Sequence, residues 1–308
     1  MNVTITGGCG FIGGHLWRYL RKQGHDVTCI DNFSTCNPIE SPDVIKADLS
    51  DEDQVKDIEH VFARSDVVYH LAGSVGVEYI DKNPSSTLQN TLKINNNLFP
   101  LFEKYSNRVI YASSSEVYGN KIDAKESDDL IIGPPTVARW GYACSKLMAE
   151  FEVMSCSFPS TIARFFNVTG AGQLPDYGMV LPKFIQSATN NQDITVYDKG
   201  DQVRCLCDVR DAVQMLVRLN DNKHIGEIFN IGNSDNCVTI NELAMIVKDR
   251  YNSTSKIVHK PYEDVYSIQS RDIKFRTINT DKMKTIYECV YSVDDIIDSF
   301  HEEGIDDT

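Results

Sequence analysis

The segment Thr6-Gly7-Gly8-Cys9-Gly10-Phe11-Ile12-Gly13 follows directly on Val3-Thr4-Ile5, the first apolar run of the chain. A β-branched strand that enters a glycine turn and then a helix starting near Phe11 is compatible with few folds. Gly8, Gly10 and Gly13 satisfy the dinucleotide spacing G-x-G-x-x-G. The first allows a tight turn, the second lets backbone approach a pyrophosphate, and the third lets the helix lie close on the strand. The helix N-terminus then turns its positive dipole end toward the phosphates. Asp31-Asn32 closes a second apolar run, Val27-Thr28-Cys29-Ile30, where a ribose-binding acid belongs.

Around this segment the first half of the chain alternates short apolar runs with helical patterns. Strands are expected at 2–6, 26–30, 43–46, 66–70, 108–112 and 160–165, and helices at 11–23, 51–62, 84–105 and 140–157. Such alternation predicts an α/β fold, a Rossmann-type doubly wound parallel sheet. One further strand of that sheet is expected near 226–232, and it completes a dinucleotide-binding domain over 1–168. Residues 169–308 otherwise lack the rhythm and are read as a smaller α/β substrate lobe over the carboxyl ends of the strands.

Charge and composition narrow the partners. The net charge is −14 with no basic stripe, so no nucleic-acid partner is expected. An anionic substrate would need local positive charge, which makes single arginines informative. Nine cysteines without a C-x-x-C pair point to reduced thiols of a cytoplasmic protein. The seven histidines show no ligand spacing, and no metal site is expected. No apolar stretch approaches about 18 residues, and the chain enters a strand at once, so neither a membrane span nor a signal peptide is expected.

Two further patterns carry chemistry. Tyr142 and Lys146 stand four apart in Trp140-Gly141-Tyr142-Ala143-Cys144-Ser145-Lys146 and share one helix face. A lysine ammonium beside a phenol lowers the phenol's pKa from about 10 and makes it a base for a sugar hydroxyl. In Ile110-Tyr111-Ala112-Ser113-Ser114-Ser115-Glu116-Val117-Tyr118-Gly119 a strand ends in a row of hydroxyls. Ser114 is placed to hydrogen-bond the reacting hydroxyl and pass its proton toward Tyr142.

T-G-G-x-G-F-I-G, the acid at Asp31, Ala47-Asp48-Leu49, His70-Leu71-Ala72-Gly73, S-x-E-V-Y-G and Y-x-x-x-K together resemble an extended short-chain dehydrogenase/reductase acting on nucleotide sugars. The resemblance runs from residue 1 to about 285. It implies NAD as cofactor, in keeping with Asp31, held by Gly7, Gly10, Phe11, Ile12, Gly13, Asp31, Asn32, Asp48, Leu49, Leu71, Ala72 and Gly73, with Tyr142 and Lys146 at the nicotinamide ribose. Ser115-Glu116 is similar to the S-E-V-Y-G of the UDP-glucuronic acid decarboxylase branch, whereas 4,6-dehydratases carry Asp-Glu there and 4-epimerases usually lack the Glu. Gly73-Ser74-Val75-Gly76-Val77-Glu78-Tyr79 and Arg139-Trp140 are also similar to that branch. The resemblance implies substrate contacts from Glu78 and Tyr79, from Asn167 and Arg204 at the diphosphate, from Val196 and Tyr197 at uracil, and from Arg276 at the diphosphate or the sugar carboxylate.

What it implies chemically is decarboxylation of UDP-glucuronic acid through a 4-keto sugar, giving UDP-xylose or the 4-keto pentose. Tyr142 takes the 4-hydroxyl proton with help from Ser114. A neutral Ser115 suffices because no hydroxyl departs. Glu116, its pKa raised by burial and like charge, protonates C5 after carbon dioxide leaves. Alternatives are a 4,6-dehydratase or 4-epimerase of a nucleotide hexose, and a nucleotide-binding protein without turnover. Ser114 stands where the branch usually has threonine, and the terminal G-W-x-P signature is absent after Lys284. The resemblance also implies a homodimer built as a four-helix bundle from the helices at 84–105 and 140–157. Leu98, Leu101, Phe102, Leu147 and Phe151 would serve either that bundle or the core.

Overall fold

A computed structural model describes residues 1–73, 76–175, 179–261 and 274–301; the side chains of Val77 and Glu78 lie outside the described residues. Its main sheet has seven strands: β1 (Asn2–Thr6), β2 (Asp26–Asp31), β3 (Val44–Lys46), β4 (Val67–His70), β5 (Arg108–Ser114), β6 (Ser160–Phe165) and β11 (Ile228–Ile231). Their order is β11-β6-β5-β4-β1-β2-β3, every pair parallel. This is the doubly wound order with one strand added. Strands covered on both faces need no polar side. Val67-Val68-Tyr69-His70 accordingly buries four consecutive residues.

Helices cover both faces. On one, α1 (Phe11–Lys22) and α8 (Val209–Arg218) bury Leu16, Trp17, Leu20, Val213 and Leu216 against β1, β2 and β11. On the other, α3 (Glu59–Arg64), α5 (Pro84–Tyr105) and α6 (Ala138–Ser155) bury Phe62, Leu98, Phe102, Ala149 and Val153. Leu98 and Phe102 are therefore core. The helix expected at 51–62 divides at Ile58 into α2 (Glu52–Asp57) and α3, because Ile58 leaves helical backbone at φ −103°, ψ 6°. The break turns Val55, Ile58, Val61 and Phe62 into one cluster. Between them, the short α4 (Val77–Lys82) leads into α5, which begins on a proline, where the missing N–H costs nothing. α5 carries Pro100 in its interior, and the burial of Ile94, Leu98, Phe99 and Phe102 holds the helix together across it.

The remainder is built on small sheets. β7 (Val168–Thr169) pairs β10 (Cys207–Asp208), and β8 (Ile194–Tyr197) pairs β13 (Ile257–Lys260). β9 (Val203–Cys205) lies between antiparallel β12 (Cys237–Thr239) and parallel β14 (Phe275–Arg276). α7 (Val180–Thr189), α9 (Ile240–Arg250) and the later α11 (Val293–Ser299) enclose a separate cluster with Leu181, Phe184, Leu243, Val247 and Ile296. The β9–β12 register sets Cys205 opposite Cys237, and the two form a disulfide. This departs from the expectation of reduced thiols throughout. The partners are 32 residues apart, and only the strand register makes them neighbours.

Candidate active site

The sheet order reverses between β1 and β4, and the crevice outside such a switch point is where α/β sheets bind ligands. A cleft of about 880 Å³ opens there. Its walls include Gly7, Gly10, Phe11, Ile12 and Gly13 after β1, Asp31 and Asn32 after β2, Asp48 and Leu49 after β3, and Leu71, Ala72 and Gly73 after β4. Ser114, Ser115, Glu116, Tyr142, Lys146, Tyr79, Asn167 and Arg276 line the same cleft.

The dinucleotide half follows from backbone. The tight turn falls at Gly7, not Gly8: Gly7 has φ +69°, and a Cβ there would come within 2.9 Å of the Ala72 nitrogen. A methyl at Gly13 would fall on the Gly7 carbonyl oxygen, so only glycine lets α1 start this close to the turn. α1 has no side-chain cap at Gly10 and no acid in its first turn. Its N–H groups and positive end are thus left for an anion in the cleft. Asp31 accepts the N–H groups of Cys9 (3.0 Å) and Phe33 (2.8 Å) and ties the glycine loop to the end of β2. These features fit a dinucleotide with its pyrophosphate on α1 and its ribose at Asp31. We expect Gly13→Ala to cost about 1–3 kcal/mol through overpacking and to weaken NAD binding more than tenfold. Thermal melting and calorimetric NAD titration check this.

β5 ends at the chemistry. Ser114 caps the short 3-10 helix Ser115–Tyr118 by accepting the Glu116 N–H at 3.3 Å, and its hydroxyl acts to lower the pKa of the Tyr142 phenol. Tyr142 is 7% exposed. Lys146 Nζ donates to the Ala112 carbonyl at 2.9 Å. The phenol is not made acidic in this state, contrary to expectation. Burial pushes it up to about 12, with the Glu116 charge adding to the rise while Ser114 and Arg276 act downward. Lys146 is itself drawn down to about 8 by burial, against the upward pull of Glu150.

Glu116 departs furthest from expectation. Its carboxylate takes Arg139 Nε at 2.5 Å and Nη2 at 2.8 Å, and Arg276 Nη2 lies 2.6 Å from the same group. Burial alone would raise its pKa, but Arg139, Arg276 and the more distant Arg204 outweigh it and hold the group at about 2. The carboxyl expected to be protonated is an anion between two guanidiniums. Its folded value lies below the ordinary 4.5. The pair's stabilisation is therefore present above pH 4.5 and is lost as pH falls toward 2.

Arg276 reaches this point because β14 pairs with β9 in a register that sets Arg276 beside Arg204. Arg276 also donates to Asn167 Oδ1 at 3.3 Å, and Asn167 in turn donates to the Cys205 carbonyl at 3.3 Å. Arg204 is buried and acts on Glu116 by charge but does not line the cleft among the described residues. Val196 and Tyr197 do not line it either: β8 turns Val196 wholly into the core between α7 and α9. Glu78, expected at the sugar, has its side chain outside the described residues. Arg139 was legible only as part of the stretch before Tyr142. Glu150, four residues past Lys146, is a buried member of the site that the motifs do not mark, and Arg164, the arginine of the R-x-x-N stretch ending at Asn167, has no role assigned by the sequence. The continued i, i+4 spacing was the signal for Glu150.

A parallel sheet with a glycine cradle at its switch point and a Ser/Tyr/Lys group on β5 and α6 defines a dinucleotide-dependent enzyme of the short-chain dehydrogenase/reductase type. The chain belongs to the NAD dependent epimerase/dehydratase family, matched over residues 3–232. It is 34% identical to a UDP-N-acetyl-alpha-D-glucosaminuronate decarboxylase of Bacillus cytotoxicus, over 91% of this chain and 89% of the relative. It is 30% identical to UDP-glucuronic acid decarboxylase 4 of Arabidopsis thaliana, over 85% of this chain. The match spans 60% of the length of that plant protein. Among solved structures it resembles Pal from Bacillus thuringiensis, with a TM-score of 0.84, 26% identity and 98% of each chain covered.

Proposed function

We propose that this protein is an NAD-dependent decarboxylase of a UDP-hexuronate, with UDP-glucuronate as substrate and UDP-xylose or the 4-keto pentose as product. The observation that carries the proposal is the pair of arginines, buried Arg139 and half-buried Arg276, closed on a carboxylate beside Ser114 and Tyr142. A neutral sugar gives these cations nothing beyond Glu116, whereas a uronate brings a second carboxylate. The relatives named as decarboxylases of UDP-uronates support the same choice.

Gly7, Gly10 and Gly13, with Asp31 and the N-terminus of α1, hold NAD, which when bound supplies the hydride acceptor for C4. Asn167 offers the diphosphate a hydrogen bond and Arg204 adds positive charge behind it. Tyr142 takes the 4-hydroxyl proton and Ser114 orients that hydroxyl. The 4-keto uronate is a β-keto acid, so carbon dioxide leaves while the C5–C6 electron pair passes to the carbonyl as an enolate; the hydride taken from C4 would return there to give UDP-xylose, and release before that step gives the 4-keto pentose. The substrate carboxylate competes with Glu116 for Arg276. Once displaced, Glu116 loses one of the two guanidiniums that keep it ionised; it then takes a proton from water and delivers it to C5.

Mass detection of carbon dioxide release from UDP-glucuronate, beside UDP-glucose, tests the proposal. Turnover of the neutral sugar alone would replace it with an epimerase or dehydratase. The Bacillus cytotoxicus relative gives reason for one further substrate, the 2-acetamido analogue UDP-N-acetylglucosaminuronate, which presents the same carboxylate to Arg276.

We infer a homodimer and propose a cytoplasmic location for it, with the Cys205–Cys237 bond an exception among otherwise free thiols. Among the described residues no helix is long and apolar enough to cross a membrane. α6 exposes Met148, Phe151 and Met154, and Phe151 is 68% exposed. Packed against a second copy with α5, these side chains complete a four-helix bundle. Light scattering at micromolar concentration is expected to give a dimer mass for the parent and a monomer mass for Phe151→Asp. A monomeric parent refutes the arrangement.

A further inference from the structure

Three turns of α6 face the last three residues of β5 one to one. Lys146 binds the Ala112 carbonyl at 2.9 Å, Ser113 Oγ donates to Glu150 Oε1 at 2.5 Å, and the Ser114 hydroxyl draws the Tyr142 phenol's pKa down. Tyr142, Lys146 and Glu150 follow at i, i+4 and i+8, so they form one stripe, and all three are buried. Glu150 is anchored from a third side. Arg164 on β6 forks onto it, Nε at 2.9 Å to Oε1 and Nη2 at 2.6 Å to Oε2. Arg164 Nη1 also donates to the Tyr118 hydroxyl at 2.7 Å, which donates to Asn230 on β11 at 2.7 Å. One carboxylate therefore ties α6 to the ends of β5 and β6, directly behind the proton-transfer group.

We infer that Glu150 is a positioning residue for proton transfer: it keeps Lys146 charged and fixes the register of β5 on α6 that brings Ser114 to Tyr142. The inference rests on Tyr142 being the base. A buried ammonium is costly unless a counter-charge stands near. The groups facing Lys146 are few. From β4, His70 is held neutral by burial, its value drawn to about 3. From β5, the Tyr111 ring lies 5.4 Å from Nζ and its phenol is pushed well up by burial. From α6 come the raised phenol of Tyr142 and the carboxylate of Glu150, which pulls Lys146 upward. Arg164 meets Glu150 in fork geometry, which fixes where its charge lies.

The test is the titration of Lys146 by NMR of ζ-15N-labelled full-length protein, with Lys146→Arg identifying the signal, together with the pH profile of uronate decarboxylation. For Glu150→Gln the Lys146 midpoint is expected to fall by about one pH unit. The break that ends the rising limb of the kcat profile, set by Lys146 as the lower of the two values, should move down with it, and kcat should drop about tenfold at unchanged KM. Glu150→Asp, which keeps the charge but retracts it, gives an intermediate midpoint and serves if the Gln variant does not fold. Ser113→Ala, which leaves the charge in place, keeps the parent midpoint. A Gln or Asp variant whose Lys146 midpoint and rising-limb break match the parent overturns the inference and leaves Glu150 a packing residue. The NMR measurement needs no sugar. A protein in which Lys146 follows Glu150 but no uronate is consumed upholds the lysine link and rejects the substrate.

Discussion

Tyr142→Phe is expected to release carbon dioxide from UDP-glucuronate about 10²–10⁴-fold more slowly than the parent, the span general base catalysis covers, while still binding the nucleotide sugar. The substitution removes one oxygen from a ring that is 7% exposed, and Ser114 keeps its capping bond to the Glu116 N–H, so the fold has no reason to fail. The parent's own pH dependence follows from the same groups. A phenol raised to about 12 by burial and by Glu116 is a poor base near neutrality, and rising pH favours it. Lys146, near 8, loses its charge before the phenol gains one, so the profile rises to about 8, runs level, and falls only where the phenol is fully ionised. Activity of the Phe variant within threefold of the parent, measured by mass detection of carbon dioxide, removes Tyr142 from the base role.

Much of this site could be read along the chain because its parts are local. The turn after β1, the acid closing β2, the hydroxyl row closing β5 and the i, i+4 pair on α6 each sit within one strand–turn–helix unit, where short-range sterics decide the geometry. The neighbouring glycines at 7 and 8 show the limit of spacing alone: G-x-G-x-x-G matches from Gly8, yet the positive φ is at Gly7. Glu116 shows a deeper limit. Its local surroundings suggest a buried, protonated acid. Arg139 arrives 23 residues later, and Arg276 arrives only through the β14–β9 pairing, and these two reverse the sign. Cys205 and Cys237 are joined by register in the same way. Val196 was legible after all: in Ile194-Thr195-Val196-Tyr197 the alternation buries Ile194 and Val196 and leaves Thr195 and Tyr197 half-buried.

Glu116→Gln should separate two roles that one carboxylate plays in turn. In the free protein Glu116 occupies the position on Arg276 that a uronate carboxylate would take. Binding therefore exchanges one buried ion pair for another, and the substrate must displace an internal competitor. A glutamine competes far less for a guanidinium. UDP-glucuronate is then expected to bind about tenfold more tightly, a gain of about 1.4 kcal/mol, although the variant turns over about 10²–10⁴-fold more slowly for want of the C5 proton donor. The free variant pays in stability. Removing one partner from a buried ion pair costs about 3–5 kcal/mol, and here Arg139 and Arg276 both lose their carboxylate. Adding UDP-glucuronate returns a carboxylate to Arg276, so its stabilisation of the variant in thermal melting should exceed that of the parent, while UDP-glucose should stabilise both alike. Calorimetry and melting with the two sugars check this. Weaker binding of UDP-glucuronate by the variant, with equal stabilisation by both sugars, would mean that Glu116 holds the sugar directly, and the exchange on Arg276 would have to be abandoned.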